Sequence, residues 1–444
     1  MIEAVDYDRA RLEGFLPFLL GSISPTIFVD EYWGSKPLLV KGHEGKFAKL
    51  FSRSSLDDLQ HANSGNSLLA KGEPEIHGCT ILRIDPGGKI AELDPRHFDS
   101  VGSYGATFQI KNFHRVDRTA SELCASLKSE LTFAGSVTCE VLLAIPGSLI
   151  PNHVDNESVF SIQVEGTRRW RISSRPVIQW PHRTLEMGDD GDVRAGDGEP
   201  WEYDVDRLKS DEFADFTLEP GDMLFHPSGA WHKLISVTPG TSGQSISLSM
   251  VFRNTMISKL FDELIRSRFA SNGAWRNFPV ALRSEMPDTI PPRLIEFFSA
   301  RCHELRMLAN SLDPNGLEVQ RQWKRLVADY DSKIPDAKQG AHATDEVLPS
   351  EQLVLSAGQP LGFVTATDPD GHELAYIYYG STEVCIDDAQ LIPFARTLMR
   401  TQAFLAGAAT EWADPGMSWD RTKNLLEELT LDYTTRKPLR NTTP

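Results

Sequence analysis

The chain has 444 residues, enough for two or three domains, and its 40% hydrophobic and 24% charged residues exclude wholesale disorder. A formal charge of −17 disfavours non-specific nucleic-acid binding and makes a basic protein or cationic peptide the more natural partner. No run of roughly 18 apolar residues exists to span a bilayer. The opening MIEAVDYDRARLEGFLPFLL carries early acidic residues and only a short apolar patch, unlike a secretory signal.

In chain order, residues 1–253 hold most of the short β-type runs and Gly/Pro punctuation. GCTILRID (78–85), YGATFQIKNF (104–113), VTCEVLLAI (137–145), SVFSIQVEG (158–166), TRRWRIS (167–173), GDMLFHP (221–227) and SISLSMVFR (245–253) read as strands of a sandwich or barrel. Residues 254–335 change character. Ile257, Leu260, Phe261, Leu264, Ile265 and Phe269 recur at helical spacing, and 293–312 and 317–330 repeat the pattern. This section predicts a small bundle or a dimer contact. Residues 338–350 read as a linker. In 336–444, two strands around the Asp-Gly of DPDG (368–371) precede helices at 388–408 and 419–432, a winged-helix-like arrangement. From residue 321 onward there are 12 basic and 18 acidic residues, a balance unlike a DNA-reading module. Cys79, Cys124, Cys139, Cys302 and Cys385 are scattered without a C-x-x-C pair, which favours free thiols in a reducing cytoplasm.

His153-Val154-Asp155 is the strongest local signal. On an extended segment the two outer side chains share a face, because side chains alternate along a strand. One imidazole and one carboxylate are part of a metal site. A third ligand would complete a 2-His-1-carboxylate triad, whose open positions suit non-haem Fe(II) and O₂. His232, in LEPGDMLFHPSGAWH (218–232), is the favoured third ligand over His226, which ends an apolar strand. The plainer alternative has Asp155 capping a turn and His153 as a loop residue. Parity in TRRWRIS gives an independent expectation: Arg168 points inward beside Trp170, while Arg169 and Arg171 face solvent. A buried guanidinium needs an anion, either a ligand carboxylate or an internal Asp or Glu.

With these residues in place, the chain resembles the JmjC-type (cupin-like) Fe(II)/2-oxoglutarate oxygenases, in their ribosomal-oxygenase branch. The resembling segments are SPTIFVDEYWGSKPLLVKG (24–42), YGATFQIKNFHRV (104–116), HVDNESVFSIQVEGTRRWRI (153–172) and LEPGDMLFHPSGAWH, together with the SWDRTKNLLEEL helix near the end. The resemblance implies a double-stranded β-helix (jelly-roll) catalytic domain, 1–253, then a helical dimerisation region, 254–335, and a winged-helix-like domain, 336–444. His153, Asp155 and His232 match the family's iron ligands, and Arg168 matches its holder of the distal 2-oxoglutarate carboxylate. Ser249 and Asn112 fall at positions that contact the cosubstrate in relatives. Ile150 and His226 depart from the pattern: some relatives carry a hydroxyl near the cosubstrate at the first, and the second is more often apolar or aromatic.

The implied activity is hydroxylation of a protein or peptide side chain, with release of succinate and CO₂. A basic ribosomal protein is the expected partner, and the expected enzyme is a homodimer. A tailoring oxygenase acting on a peptide natural product or an amino acid, an N-methyl-lysine demethylase and a non-catalytic cupin scaffold are the competing readings.

Overall fold

Alternation along the strands shapes the N-terminal part of this computed structural model. The described residues are 7, 10, 14–51, 80–84, 90–93, 107–188, 191–195, 212–240, 243–255, 257–277, 279, 280, 282, 290–330, 347–350, 352–354, 361–367, 370–380, 382–399, 401 and 403–431. Among the described residues, fourteen strands lie before residue 254: β1 (Leu38–Val40), β2 (Thr80–Ile84), β3 (Ile90–Leu93), β4 (Thr107–Lys111), β5 (Ser136–Ala144), β6 (Ile150–Val154), β7 (Glu157–Glu165), β8 (Thr167–Ser173), β9 (Leu185–Met187), β10 (Val193–Ala195), β11 (Phe213–Leu218), β12 (Met223–His226), β13 (Trp231–Thr238) and β14 (Ser245–Arg253). They form an eight-stranded sheet, β1-β12-β7-β14-β5-β4-β2-β3, and a six-stranded sheet, β10-β9-β6-β13-β8-β11. Every pairing in both sheets is antiparallel.

The larger sheet is apolar on its outer face and largely polar on its inner one. Its outer face, with Phe108, Ile110, Cys139, Val141, Phe160, Ile162, Phe225, Leu248, Met250 and Phe252, packs with Phe15, Leu19 and Phe28 of the N-terminal helices and Leu123 and Leu127 of the helix Arg118–Glu130. From its inner face, Ala144 and Leu224 meet Trp170, Ile172, Leu218 and Leu234 of the smaller sheet. Along these strands the apolar outer residues alternate with polar lumen residues such as Ser161, Gln163, Ser245 and Ser247. The lumen between the sheets is the jelly-roll interior that the sequence implied, and it holds the polar residues considered below.

The helical section is present as Ser258–Phe269, Gly273–Arg276, Pro292–Ser311 and Leu317–Ala328. In the long helix Pro292–Ser311 only Leu294 and Leu308 are buried, while Ile295, Phe298 and Met307 are exposed. Further on, β16 (Leu361–Thr367) and β17 (Glu373–Tyr379) make the expected hairpin, with Gly371 at φ 90° in its turn. The sequence reading missed β18 (Thr382–Ile386), which adds a third strand. Residues 338–346 of the expected linker, 368 and 369 of the turn, and Cys79 lie outside the described residues.

One expected helix is corrected. Residues 388–408 form a 3-10 turn, Ala389–Leu391, and a short helix, Ile392–Leu398, followed by strand β19 (Ala403–Leu405), which pairs with β15 (Gln352–Val354). Phe404 and Ala406 are buried while Leu405 between them is 51% exposed, a period of two that suits a strand. The Thr397 and Thr401 hydroxyls donate to carbonyls four residues back and help close the helix end.

His114 gives this core a pH dependence. Its ring is buried, and its Nδ1 accepts the Cys139 backbone N–H at 3.2 Å. Burial, helped by Arg115, pushes the imidazole down from 6.5 to about 4. Between those values the unfolded chain binds a proton that the folded chain refuses, so stability rises with pH across the window and is lost on acidification. The full span is worth about 3 kcal/mol at 1.36 kcal/mol per pH unit. His114→Asn, which keeps an acceptor but takes up no proton, is expected to lose much less stability than wild type between pH 7 and pH 4.5 in urea unfolding. Equal losses would remove this assignment.

Candidate active site

Register builds the site. In the β6–β13 pair His153 stands directly opposite His232, and the two imidazole centroids lie 4.0 Å apart. Asp155 follows immediately after β6, and its carbonyl accepts the Gly229 N–H at 3.0 Å, which ties the two ligand-bearing segments together. The Asp155 Oδ2 lies 3.6 Å from His153 Nε2 and 3.4 Å from His232 Nε2. One ligand atom from each residue falls within 4.8 Å of the others.

Hydrogen bonds set which nitrogen faces the centre. His153 Nδ1 meets the Pro151 carbonyl at 2.8 Å, and His232 Nδ1 meets the Ala230 carbonyl at 3.0 Å. A carbonyl only accepts, so each Nδ1 carries a proton and each Nε2 is the nitrogen turned to the centre. Thr184 Oγ1 lies 3.5 Å from the other Asp155 oxygen. Burial opposes ionisation of Asp155, yet His153 and His232 together hold its carboxyl well below the usual carboxylate range. For His153, burial is likewise outweighed by Asp155, and the imidazole is raised. Burial and the neighbouring His153 push His232 down. Two imidazole Nε2 atoms and one carboxylate, brought together within 4.8 Å, fit a divalent metal of the Fe(II) type. His226 lies beside this triad, its ring centroid 4.3 Å from that of His232.

Arg168 is 1% exposed and points inward as parity predicted. Its Nε donates to Ser245 Oγ at 3.1 Å, its Nη1 to Ser247 Oγ, and its Nη2 to the carbonyls of Leu142 at 2.6 Å and Ser245 at 2.9 Å. All four acceptors are neutral. Burial alone pushes the guanidinium down to about 9. The alternative of an internal carboxylate partner is not what is found: among the described residues no acidic group pairs with Arg168. By contrast, Arg169 and Arg171 lie at the surface, 2.6 Å and 2.7 Å from Asp215 oxygens. An uncompensated cation inside the lumen fits an anionic ligand.

Behind Arg168, Gln163 Nε2 donates to Ser245 Oγ at 2.9 Å and to the carbonyls of Glu165 and Gly166 at the β7–β8 turn. Gly166 has φ 69°, and a Cβ there would sit 2.5 Å from the Thr238 carbonyl oxygen, so the turn needs glycine. Sequence reasoning chose Ser249 and missed Ser245 and Ser247, although all three share one face of SISLSMVFR. Ser249 is half-buried on that lumen face, opposite Glu140 and Ser161. Asn112 is not on a strand but just past β4, half-buried with φ 58° at the start of the 3-10 turn Phe113–Arg115. Neither makes a side-chain hydrogen bond among the described residues. Ile150 is half-buried and packs against the Trp170 cluster.

Residues 113–260 match the family model described as the JmjC domain. The chain carries a JmjC domain. That domain holds all three triad residues and Arg168. Ribosomal oxygenase 2 of Mus musculus is 31% identical over 287 residues, which cover 62% of this chain and 54% of that protein. A Dictyostelium discoideum protein named bifunctional lysine-specific demethylase and histidyl-hydroxylase NO66 is 26% identical, over 53% of this chain and 43% of its own. The chain thus spans about half the length of these relatives. In overall fold it is similar to Escherichia coli YcfD, with a TM-score of 0.57 and 17% identity over 92% of this chain and 96% of that one. Another structure of YcfD, described as a ribosomal oxygenase in complex with cobalt and 2-oxoglutarate, gives a TM-score of 0.56 at 17% identity, with the same coverage.

Proposed function

We propose that this chain is an Fe(II)- and 2-oxoglutarate-dependent dioxygenase that hydroxylates a side chain of a protein or peptide, with release of succinate and CO₂. The observation that carries the reading is the pairing, in one lumen, of the His153–Asp155–His232 triad with the buried, uncompensated Arg168. When bound, the metal and the 2-oxo acid supply the oxygen-activating chemistry that no side chain can. His153 and His232 hold their lone pairs toward the centre, and Asp155 adds negative charge. Arg168 takes the far carboxylate. Trp170, Ile172, Leu224 and Leu234 keep that end of the lumen dry.

A basic ribosomal protein is the partner this reading favours. The names of the relatives support it, and a charge of −17 favours encounter with a basic surface. The NO66 name supports lysine demethylation as a second outcome of the same site. Substrate mass gain by one oxygen separates hydroxylation from formaldehyde release. A homodimer through the helical section is supported by Ile295, Phe298 and Met307, exposed on the Pro292–Ser311 helix; light scattering at the mass of one chain would remove it. The C-terminal strands and helices support a winged-helix-like module that frames the substrate. The free thiols of Cys124, Cys139, Cys302 and Cys385 suit the cytoplasm. Among the described residues no helix is long and apolar enough to cross a membrane.

Anaerobic titration with Fe(II) and 2-oxoglutarate tests the cofactor reading. Wild type is expected to develop the weak visible metal-to-ligand charge-transfer band. Arg168→Ala is expected to bind metal normally but to need roughly 10- to 150-fold more 2-oxoglutarate, the loss of a charge-assisted bond worth about 1.5–3 kcal/mol. No band in wild type would end the oxygenase reading.

A further inference from the structure

His226 stands where the family pattern has an apolar or aromatic residue, and its surroundings suggest what a polar ring does there. It is the last residue of β12, pairs in register with Val159 of β7, and is 5% exposed. Leu224, two residues earlier, packs in the cluster between the sheets, so alternation turns His226 to the lumen as well. Trp170, two residues from Arg168 on β8, comes to the same place from the other sheet. Its ring centroid lies 6.1 Å from that of His232, and it is 7% exposed.

The His226 Nδ1 and the Trp170 Nε1 are both buried without a hydrogen-bond partner among the described residues. An indole nitrogen can only donate, and an imidazole nitrogen donates in one of its tautomers. One donor and one nitrogen able to donate, left open beside a metal-ligand histidine, are costly unless something pairs with them. An apolar filler would avoid that cost. The partner that suits both is a ligand rich in acceptor oxygens. Ser247, which holds Arg168, and Val251, which pairs with Val159 beside His226, are four residues apart on β14. That is roughly 13 Å of strand, the scale of a small dicarboxylate together with the side chains that grip it.

We infer that His226 and Trp170 form a second anchor for the cosubstrate, donating to oxygens of its 2-oxo acid end while Arg168 holds the far carboxylate. The inference rests on the metal-and-cosubstrate reading above. Both residues are positioning residues: they fix how the 2-oxo acid sits and leave the metal to the triad.

The test compares 2-oxoglutarate with 2-oxovalerate, which keeps the 2-oxo acid end and lacks the far carboxylate, in anaerobic titrations of the Fe(II)-loaded protein. Trp170→Phe and His226→Leu are each expected to raise the concentration for half-maximal charge-transfer band about tenfold for both acids. His226→Asn, which can still donate, is expected to recover most of that loss. Arg168→Ala should weaken 2-oxoglutarate and leave 2-oxovalerate unchanged. Co(II) absorption without cosubstrate, expected at wild-type affinity in Trp170→Phe, separates a lost hydrogen bond from a lost fold. Wild-type titrations of both acids in Trp170→Phe and His226→Asn, with His226→Leu also unchanged, would overturn the anchor. Weakening of 2-oxoglutarate alone would overturn its placement at the metal end. If wild type itself gives no band with either acid, the oxygenase reading falls and the anchor with it; if wild type binds and the variants do not differ, only the anchor falls.

Discussion

Asp155→Ala is expected to abolish metal-dependent turnover and to weaken metal binding at least about 100-fold. The lower bound follows from a comparison: losing a partner that merely orients a metal ligand costs about 10- to 100-fold in metal affinity or activity, and Asp155 is itself a candidate ligand. Its oxygen sits 3.4 Å and 3.6 Å from the two Nε2 atoms, and it is the one carboxylate grouped with both among the described residues. The fold should not suffer. Its carboxyl, held well below the usual range by His153 and His232, contributes stability at neutral pH, so the metal-free variant is expected to keep its fold but to melt somewhat below wild type. Metal titration by calorimetry, alongside thermal melts, reads both quantities. Wild-type metal affinity in the variant would dissolve the triad, while a collapsed fold would reassign Asp155 to architecture.

The second large effect concerns stability. Lys128 is 1% exposed, and its ammonium donates to the carbonyls of Phe133 at 2.9 Å, Leu326 at 3.0 Å and Gly135. Burial pushes it down to about 8, so near pH 7 it is still mostly charged. It therefore pins the end of the helix Arg118–Glu130 to the following turn and to the helix Leu317–Ala328, joining the jelly roll to the helical section. Lys128→Met keeps much of the shape and leaves three carbonyls without their donor. A loss of about 3 kcal/mol or more is expected in urea unfolding. Lys259→Ala is the control: its partner Asp329 lies 3.9 Å away, both side chains are about half exposed, and the effect should be under about 1 kcal/mol. A loss below about 1 kcal/mol for Lys128→Met would mean that water reaches those carbonyls.

Legibility in the sequence followed the range of the interaction. Arg168 could be placed from TRRWRIS alone, because alternation is local and a buried cation is conspicuous. His232, which the structure groups with His153 and Asp155, could be preferred over His226 only by a spacing argument, since the β6–β13 register that sets it against His153 is non-local. Ser245 and Ser247 went unread because nothing in SISLSMVFR says which of three serines meets a guanidinium from another sheet. The edge strand Phe213–Leu218 was missed because its outward Phe213 and Thr217 break the apolar pattern. The strand Ala403–Leu405 was misread as helix because three residues cannot declare a period against the helical residues before them.

The clamp between Gly229 and Asp155 bears on which ions the triad tolerates. Gly229 has φ 84°, its carbonyl accepts from Val177, and a Cβ there would lie 1.8 Å from the Ile178 carbonyl oxygen. The neighbouring Ser228 N–H donates to Ser158 Oγ at 3.0 Å. The segments that carry Asp155 and His232 are therefore locked to each other and to a third stretch of chain. Spreading them to suit a larger guest would break these hydrogen bonds. An ion the size of Ca(II) or Cd(II) would have to be met by side-chain rotation alone, so the protein should sort divalent ions by radius, with the scaffold rather than the donor atoms as the gauge.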